Sequence, residues 1–385
     1  MARTFNGPII GIAGTAKNTG KTTTFNAVTR YLRRIGRDRL LTSIGYDGED
    51  LDSITGLPKP KVFVETGDVV ATALPLLRAS TAVFDEPALT GVECALGPVC
   101  VAKVRDGGKV VLAGPTSTKD VETVLGFVSA ALPSRDRITL LDGAFSRMSP
   151  MALSTHLLIA TGAARYQFPG FISQNMDELA AVFGLPLDEG EWDLVLDHGL
   201  FDDEGAELVF EAIESVWKDQ AFQGAAQVTA LAAADAARMD SPGIVLRCAI
   251  NGVVAPSPLT RLLELLDKSP RNIRVTFGFA HPISLLLSGD LSLWRGTIQN
   301  AARAGHNLAV RATSRLLGFT ISPYFPVYDM ERREYVASYA SPRSFLNEIR
   351  SRTSVPCTDI ILEGTRILES WIDSVSVTKE SPTGA

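Results

Sequence analysis

The stretch Gly14-Thr15-Ala16-Lys17-Asn18-Thr19-Gly20-Lys21-Thr22-Thr23 has the residue types and spacing to hold a phosphate. In a phosphate-binding loop the backbone N–H groups of a glycine-rich turn point inward at the anion. A lysine reaches the β- and γ-phosphates, and a threonine hydroxyl binds Mg²⁺. Lys21 and Thr22 supply those groups here. The common Walker A pattern has four residues between its glycines. Gly14 and Gly20 enclose five, Thr15 to Thr19, so Thr15 stands where the common pattern has glycine. The bland alternative is a turn that binds nothing. The flanking pattern favours the loop: an apolar run, Pro8 to Ala13, reads as a buried strand, and Phe25 to Ile35 reads as a helix with a basic end at Arg33 and Arg34.

Phosphoryl transfer asks for a phosphate cradle, a metal and something to position the nucleophile. Mg²⁺ takes oxygen ligands, with one or two carboxylates from protein. Asp142 closes Ile138-Thr-Leu-Leu-Asp142, the apolar-run-plus-acid pattern of a Walker B strand; its plain alternative is a turn-forming Asp before Gly143. Asp47 follows the second apolar run, with Glu49 and Asp50 nearby, and is either a further metal ligand or part of a solvated acidic loop. The candidate set is therefore Lys21 and Asp142 for catalysis. Gly14, Thr15, Lys17, Asn18, Thr19, Gly20, Lys21, Thr22 and Thr23 are assigned to ATP, and Thr22, Asp47 and Asp142 to Mg²⁺.

Other chemistries find little support. The acidic loop is no EF-hand, because its glycine is second rather than sixth. His156, His198, His281 and His306 lack metal-site spacing, and there is no Gly-x-Ser-x-Gly elbow. Cys94, Cys100, Cys248 and Cys357 are scattered, which points to a reduced, cytoplasmic setting. A net charge of −6 argues against a general nucleic-acid binder. No apolar run is long enough for a bilayer span, and the N-terminal residues do not read as a signal peptide.

The elements that must position these residues alternate. Strands are expected at Arg39–Ile44, Lys61–Glu65, Val69–Ala71, Val99–Val104, Lys109–Ala113, Arg137–Leu141 and Leu157–Ala160. Helices are expected at Ala73–Arg78, at Lys119–Leu132 with Ser117 as N-cap, and briefly from Met151. This alternation predicts an α/β fold, a P-loop NTPase with a mostly parallel sheet wrapped by helices, plus a second, smaller α/β domain. Residues 1–165 are read as the nucleotide-binding domain and 166–242 as a mainly helical segment, either separate or part of the first domain, with helices at Met176–Phe183, Ala206–Trp217 and Val228–Met239 and a strand at Asp193–Leu196. Asp240–Gly243 is the boundary, 243–376 the second domain, and 377–385 a disordered tail. The second domain is expected to hold strands at Ile244–Ile250, Ile273–Phe279, Asn307–Val310, Gly318–Ile321 and Asp359–Leu362. Its helices are expected at Leu259–Leu266 with Pro258 at the first position, Trp294–Ala304 and Ser344–Arg352. Pro323–Tyr328 reads as an ordered loop packed on that domain, with a partner-binding patch as the sharper alternative. Thr161-Gly162-Ala163 reads as a strand-to-loop turn, with contact to the nucleotide base or the metal-bound phosphate as the sharper alternative.

The longer Gly-Thr-x-x-x-x-Gly-Lys-Thr form resembles the dethiobiotin synthetase and cobyrinic acid diamide synthase branch of P-loop enzymes. Lys17 lies four residues before Lys21, not the five of the extra lysine in MinD-like ATPases, so that role is not carried over. In order, Gly14–Thr22, Leu41–Asp50, Leu141–Ala144 and Ala160–Ala163 resemble the ATP-dependent reactivating factors of lysine 5,6-aminomutase. Leu316–Tyr324 is similar to that family's strand ending in Asn-Pro-Tyr, with Ser322 in place of Asn. The resemblance implies one subunit of a two-component factor that uses ATP and Mg²⁺ to make a cobalamin-dependent aminomutase exchange damaged cofactor. Its partners would be a companion reactivase subunit and the aminomutase, with no nucleic acid and no membrane; a homo-oligomer is left open. A nucleotide-dependent switch would order Tyr46–Leu57. The competing function is an ATP-dependent small-molecule ligase acting through a phosphorylated carboxylate.

Overall fold

The computed structural model describes residues 5, 7–46, 61–144, 148–228, 245–270, 273–289 and 291–375. The chain forms two compact units, Met1–Met176 with Ser314–Ala385, and Asp177–Thr313.

The first unit begins with β1 (Ile9–Gly14), α1 (Lys21–Arg34), β2 (Arg39–Ser43), β3 (Val62–Val64), β4 (Val69–Ala73) and α2 (Leu74–Arg78). It continues through β5 (Val83–Phe84), β6 (Ala88–Cys94), β7 (Gly97–Asp106), β8 (Gly108–Val110), α3 (Thr118–Ala131), β9 (Ile138–Ala144) and β10 (His156–Gly162). After α4 (Pro169–Phe183), the second unit holds β11 (Leu194–Phe201), α5 (Asp203–Val228), β12 (Val245–Val254), α6 (Pro256–Lys268) and β13 (Arg274–Phe279). It closes with α7 (Pro282–Leu286), α8 (Trp294–Arg303) and β14 (Asn307–Val310). The chain then re-enters the first unit with β15 (Arg315–Ser322), β16 (Tyr324–Asp329), β17 (Glu334–Tyr339), α9 (Pro342–Arg352), β18 (Cys357–Thr358) and α10 (Arg366–Asp373).

The fold is α/β with a mostly parallel mixed sheet, compatible with a P-loop fold. The main sheet runs β18-β15-β10-β1-β9-β2-β4-β7-β5, with β6 added beside β7. β1 is buried along its whole length between parallel β9 and β10, which is why its sequence is a continuous apolar run. The order reverses at β1: β9 and β2 lie to one side, β10 and β15 to the other. Ligands of such sheets sit in the crevice at the carboxyl ends of the strands at this point, where the Gly14–Gly20 turn leaves β1. Phe25, Val28 and Leu32 of α1 are fully buried, one turn apart on one face. The far end of α1 is tied down through Asp68, fully buried, which accepts from Arg33 Nη2 at 3.0 Å and from Arg39 Nε at 2.5 Å.

Several expectations change. β15 pairs in parallel with β10, so 314–375 belongs with the nucleotide-side sheet, and the units change at Met176 and Thr313 rather than at 165 and 242. Pro323–Tyr328 is not a loop packed on the second unit; β16 pairs antiparallel with β17 in a two-stranded ribbon of the first unit, where Pro326 is tolerated. Asp359–Leu362 is not a strand, because Asp359 Oδ1 accepts from the N–H groups of Ile361 and Leu362 and closes a turn. Pro256, not Pro258, opens α6. β5 and β6, with short and largely exposed sequences, were not anticipated. Ser117 does cap α3, its Oγ accepting from Asp120 N at 3.1 Å. The Val228–Met239 helix after its first residue, the Asp240–Gly243 boundary and the 377–385 tail lie outside the described residues. Among the described residues no helix is long and apolar enough to cross a membrane.

In the second unit the sheet order β11-β12-β13-β14 follows the chain and every pair is parallel. Val195, Ala249, Gly278 and Ala309 stand side by side in register. A side chain on Gly278 would strike the Trp192 ring, over which Arg247 is stacked 4.8 Å from the centroid. His306 is buried and its Nδ1 accepts from Val275 N at 3.2 Å, which requires a neutral ring. Burial lowers its pKa below the ordinary value, against a smaller opposing pull from Asp267. The folded state thus binds fewer protons than the unfolded chain, and stability present above the unfolded pKa of about 6.5 is lost as pH falls through the folded value. Melting followed by Trp fluorescence between pH 7 and 5 is expected to show this loss, and His306→Gln should flatten it. An identical pH slope in the variant would assign the loss to other groups.

Candidate functional site

Gly14 is the last residue of β1, and the turn after it folds back closely. A side chain on Gly14 would lie 3.2 Å from Thr19 Oγ1 and 3.4 Å from both Ala16 O and Lys21 Cβ. Thr15 is anchored to β10: its N–H donates to Ala160 O at 3.0 Å, and its hydroxyl donates to Thr161 Oγ1 at 3.0 Å. Thr19 is buried and donates to Ala16 O at 2.9 Å. Asn18 and Gly20 both have positive φ, 64° and 84°, which turns the backbone back before the helix begins. Lys17 is exposed.

α1 then starts at Lys21 with no side-chain cap and no acidic residue in its first turn. Its amino end is left positive, toward the turn. Among the described residues the hydroxyls of Thr22 and Thr23 make no hydrogen bond, while Thr24 bonds back to Gly20 O at 3.2 Å and to Thr320 Oγ1 of β15 at 2.7 Å. Ser322, at the end of β15, comes within 3.4 Å of where a side chain on Gly20 would be.

Lys21 Nζ donates to Asp142 Oδ2 at 3.1 Å, and the two side chains are only 11% and 12% exposed. This joins the first residue of α1 to the strand beside β1, since Asp142 registers against Ile12. β9 runs past Asp142 to Ala144, so Asp142 lies within the strand rather than in a turn. On its other side Asp142 registers with Ser43 of β2, whose buried hydroxyl has no hydrogen-bond partner among the described residues. Ser43, Thr161, Thr320 and Ser322 are the site residues that sequence reasoning missed or undervalued. Only register brings them here, although the polar ends of otherwise apolar strands were the available signal. Asp47 lies outside the described residues.

The residues present fit a magnesium nucleotide. The turn would offer backbone N–H groups and the Lys21 ammonium to phosphates, and Thr22 and Asp142 are oxygen donors. Among the described residues no group of three or more His, Cys, Asp or Glu side chains is placed to hold a metal. No family model matches the chain, and no curated protein matches it either.

Proposed function

We propose that this chain binds ATP with Mg²⁺ at the Gly14–Thr23 turn and hydrolyses it. In this reading it is the ATPase subunit of a cytoplasmic reactivating factor that drives cofactor exchange on a cobalamin-dependent aminomutase. The observation that carries the nucleotide reading is the sheltered Lys21–Asp142 pair at the uncapped start of α1. It sets a cation and a carboxylate side by side where a glycine turn meets a helix. The turn's N–H groups hold the phosphates, and Lys21 balances their charge. The Thr22 hydroxyl and Asp142 carboxylate would hold the metal, whose chemistry when bound would be to offset charge on the phosphate oxygens. The client assignment is supported by the ordered resemblance of Gly14–Thr22, Leu41–Asp50, Leu141–Ala144, Ala160–Ala163 and Leu316–Tyr324.

Phosphate release from the purified chain tests both halves. Turnover is expected to be slow alone and faster when a companion subunit and an aminomutase carrying damaged cobalamin are added. A chain idle with that client but active once a carboxylate substrate is supplied would instead be a ligase.

A further inference from the structure

The carboxyl end of the second unit's parallel sheet carries a polar row that plays no part in the Gly14–Thr23 turn. Asp197 on β11 and Asn251 on β12 stand opposite each other in register, two residues beyond Val195 and Ala249. Arg311 follows β14, two residues beyond Ala309 on the same face. Asn251 Nδ2 donates to Asp197 Oδ1 at 2.5 Å, and Asn251 Oδ1 accepts from Arg311 Nη2. β13 and β14 stop at Phe279 and Val310, while β11 and β12 continue to Phe201 and Val254. The row therefore lies on a step at the strand ends.

Arg311 is the unusual member. It is half-buried, its guanidinium donates to a neutral amide, Asn251 Oδ1, and among the described residues its buried Nε has no acceptor. Among the described residues Arg33 and Arg39 hold Asp68 and Arg247 holds Asp188, whereas Arg137, like Arg311, lacks a carboxylate and donates to the Leu132 carbonyl instead. A desolvated guanidinium with unused donors is costly, and an oxyanion accepting from its fork removes that cost. The neighbouring Asp197 is exposed and can accept from a donor on the same ligand.

We propose that this end of the second unit binds a small molecule bearing an oxyanion, held by Arg311, with Asp197 accepting from an adjacent hydroxyl or amine of that molecule. A buried Nε–H exchanges slowly with water, so it can be followed directly by ¹H–¹⁵N spectroscopy of the full-length chain. Its resonance is assigned by its disappearance in Arg311→Gln. Two probes are titrated, inorganic phosphate and glycolate, which carries a hydroxyl beside its acid. The resonance belongs to the second unit, so it does not follow phosphate captured at the glycine turn of the first.

Both probes are expected to move the Arg311 resonance saturably, with a Kd of about 1 mM. Asp197→Ala is expected to weaken glycolate about tenfold and to leave phosphate binding unchanged or tighter. The absence of saturable movement with either probe up to about 20 mM, well above a millimolar Kd, overturns the site. Equal affinity for glycolate in wild type and Asp197→Ala overturns the role of Asp197.

Discussion

Lys21→Ala is expected to lower ATP turnover by about 10²–10³-fold, the usual cost of removing one preorganised donor from developing charge. The geometry adds a second effect. Lys21 and Asp142 are a nearly buried pair, so deleting the cation leaves the Asp142 carboxylate short of its counter-charge. Breaking such a pair costs about 3 kcal/mol, or roughly 10 °C in Tm for a unit of this size. The protein should still fold, because typical stabilities are about 5–15 kcal/mol. Adding Asp142→Asn to Lys21→Ala removes that charge and should recover most of the lost Tm while leaving turnover no higher than in the single variant. Calorimetry beside a phosphate-release assay separates the two effects. Unchanged turnover in the single variant would sink the nucleotide assignment.

The second large effect is expected at Asp142 itself. Asn keeps the size of the side chain and an oxygen to accept from Lys21, and removes only the charge. Turnover at saturating Mg²⁺ should fall about 100-fold, with nucleotide binding in the absence of metal little changed. The Mg²⁺ concentration for half-maximal activity should rise. Asp50→Asn should do far less, with Asp47→Asn between them. Small, equal effects at Asp142 and Asp50 would move the metal ligand elsewhere, first to Asp47.

What the sequence disclosed, and what it hid, divides by distance along the chain. The strand, glycine turn and helix from Ile9 to Arg34 are local, written in residues that set their own backbone angles and buried faces. Asp142 was legible as an acid at the end of an apolar run, though β9 extends two residues further. Its partnership with Lys21, 121 residues away, was not legible, nor was the Thr24–Thr320 bond across 296 residues. Hydrophobic periodicity names a strand without naming its neighbours, so β15 was assigned to the second domain although it pairs with β10. Asp359 misled for a different reason: its side chain offers the backbone a turn in place of a ladder.

The return of β15 to the first sheet also bears on how the protein is made. Asp177–Thr313 is continuous in sequence and complete once residue 313 has been synthesised. The first unit is not, because β10 awaits β15, β15 awaits β18, and Thr24 awaits Thr320. On the ribosome the nucleotide-side sheet begins first and finishes last, holding an unpaired β10 edge until more than 150 further residues have emerged. Chains interrupted between 314 and 358 would carry a finished second unit beside an open first one. Those fragments are the ones expected to aggregate.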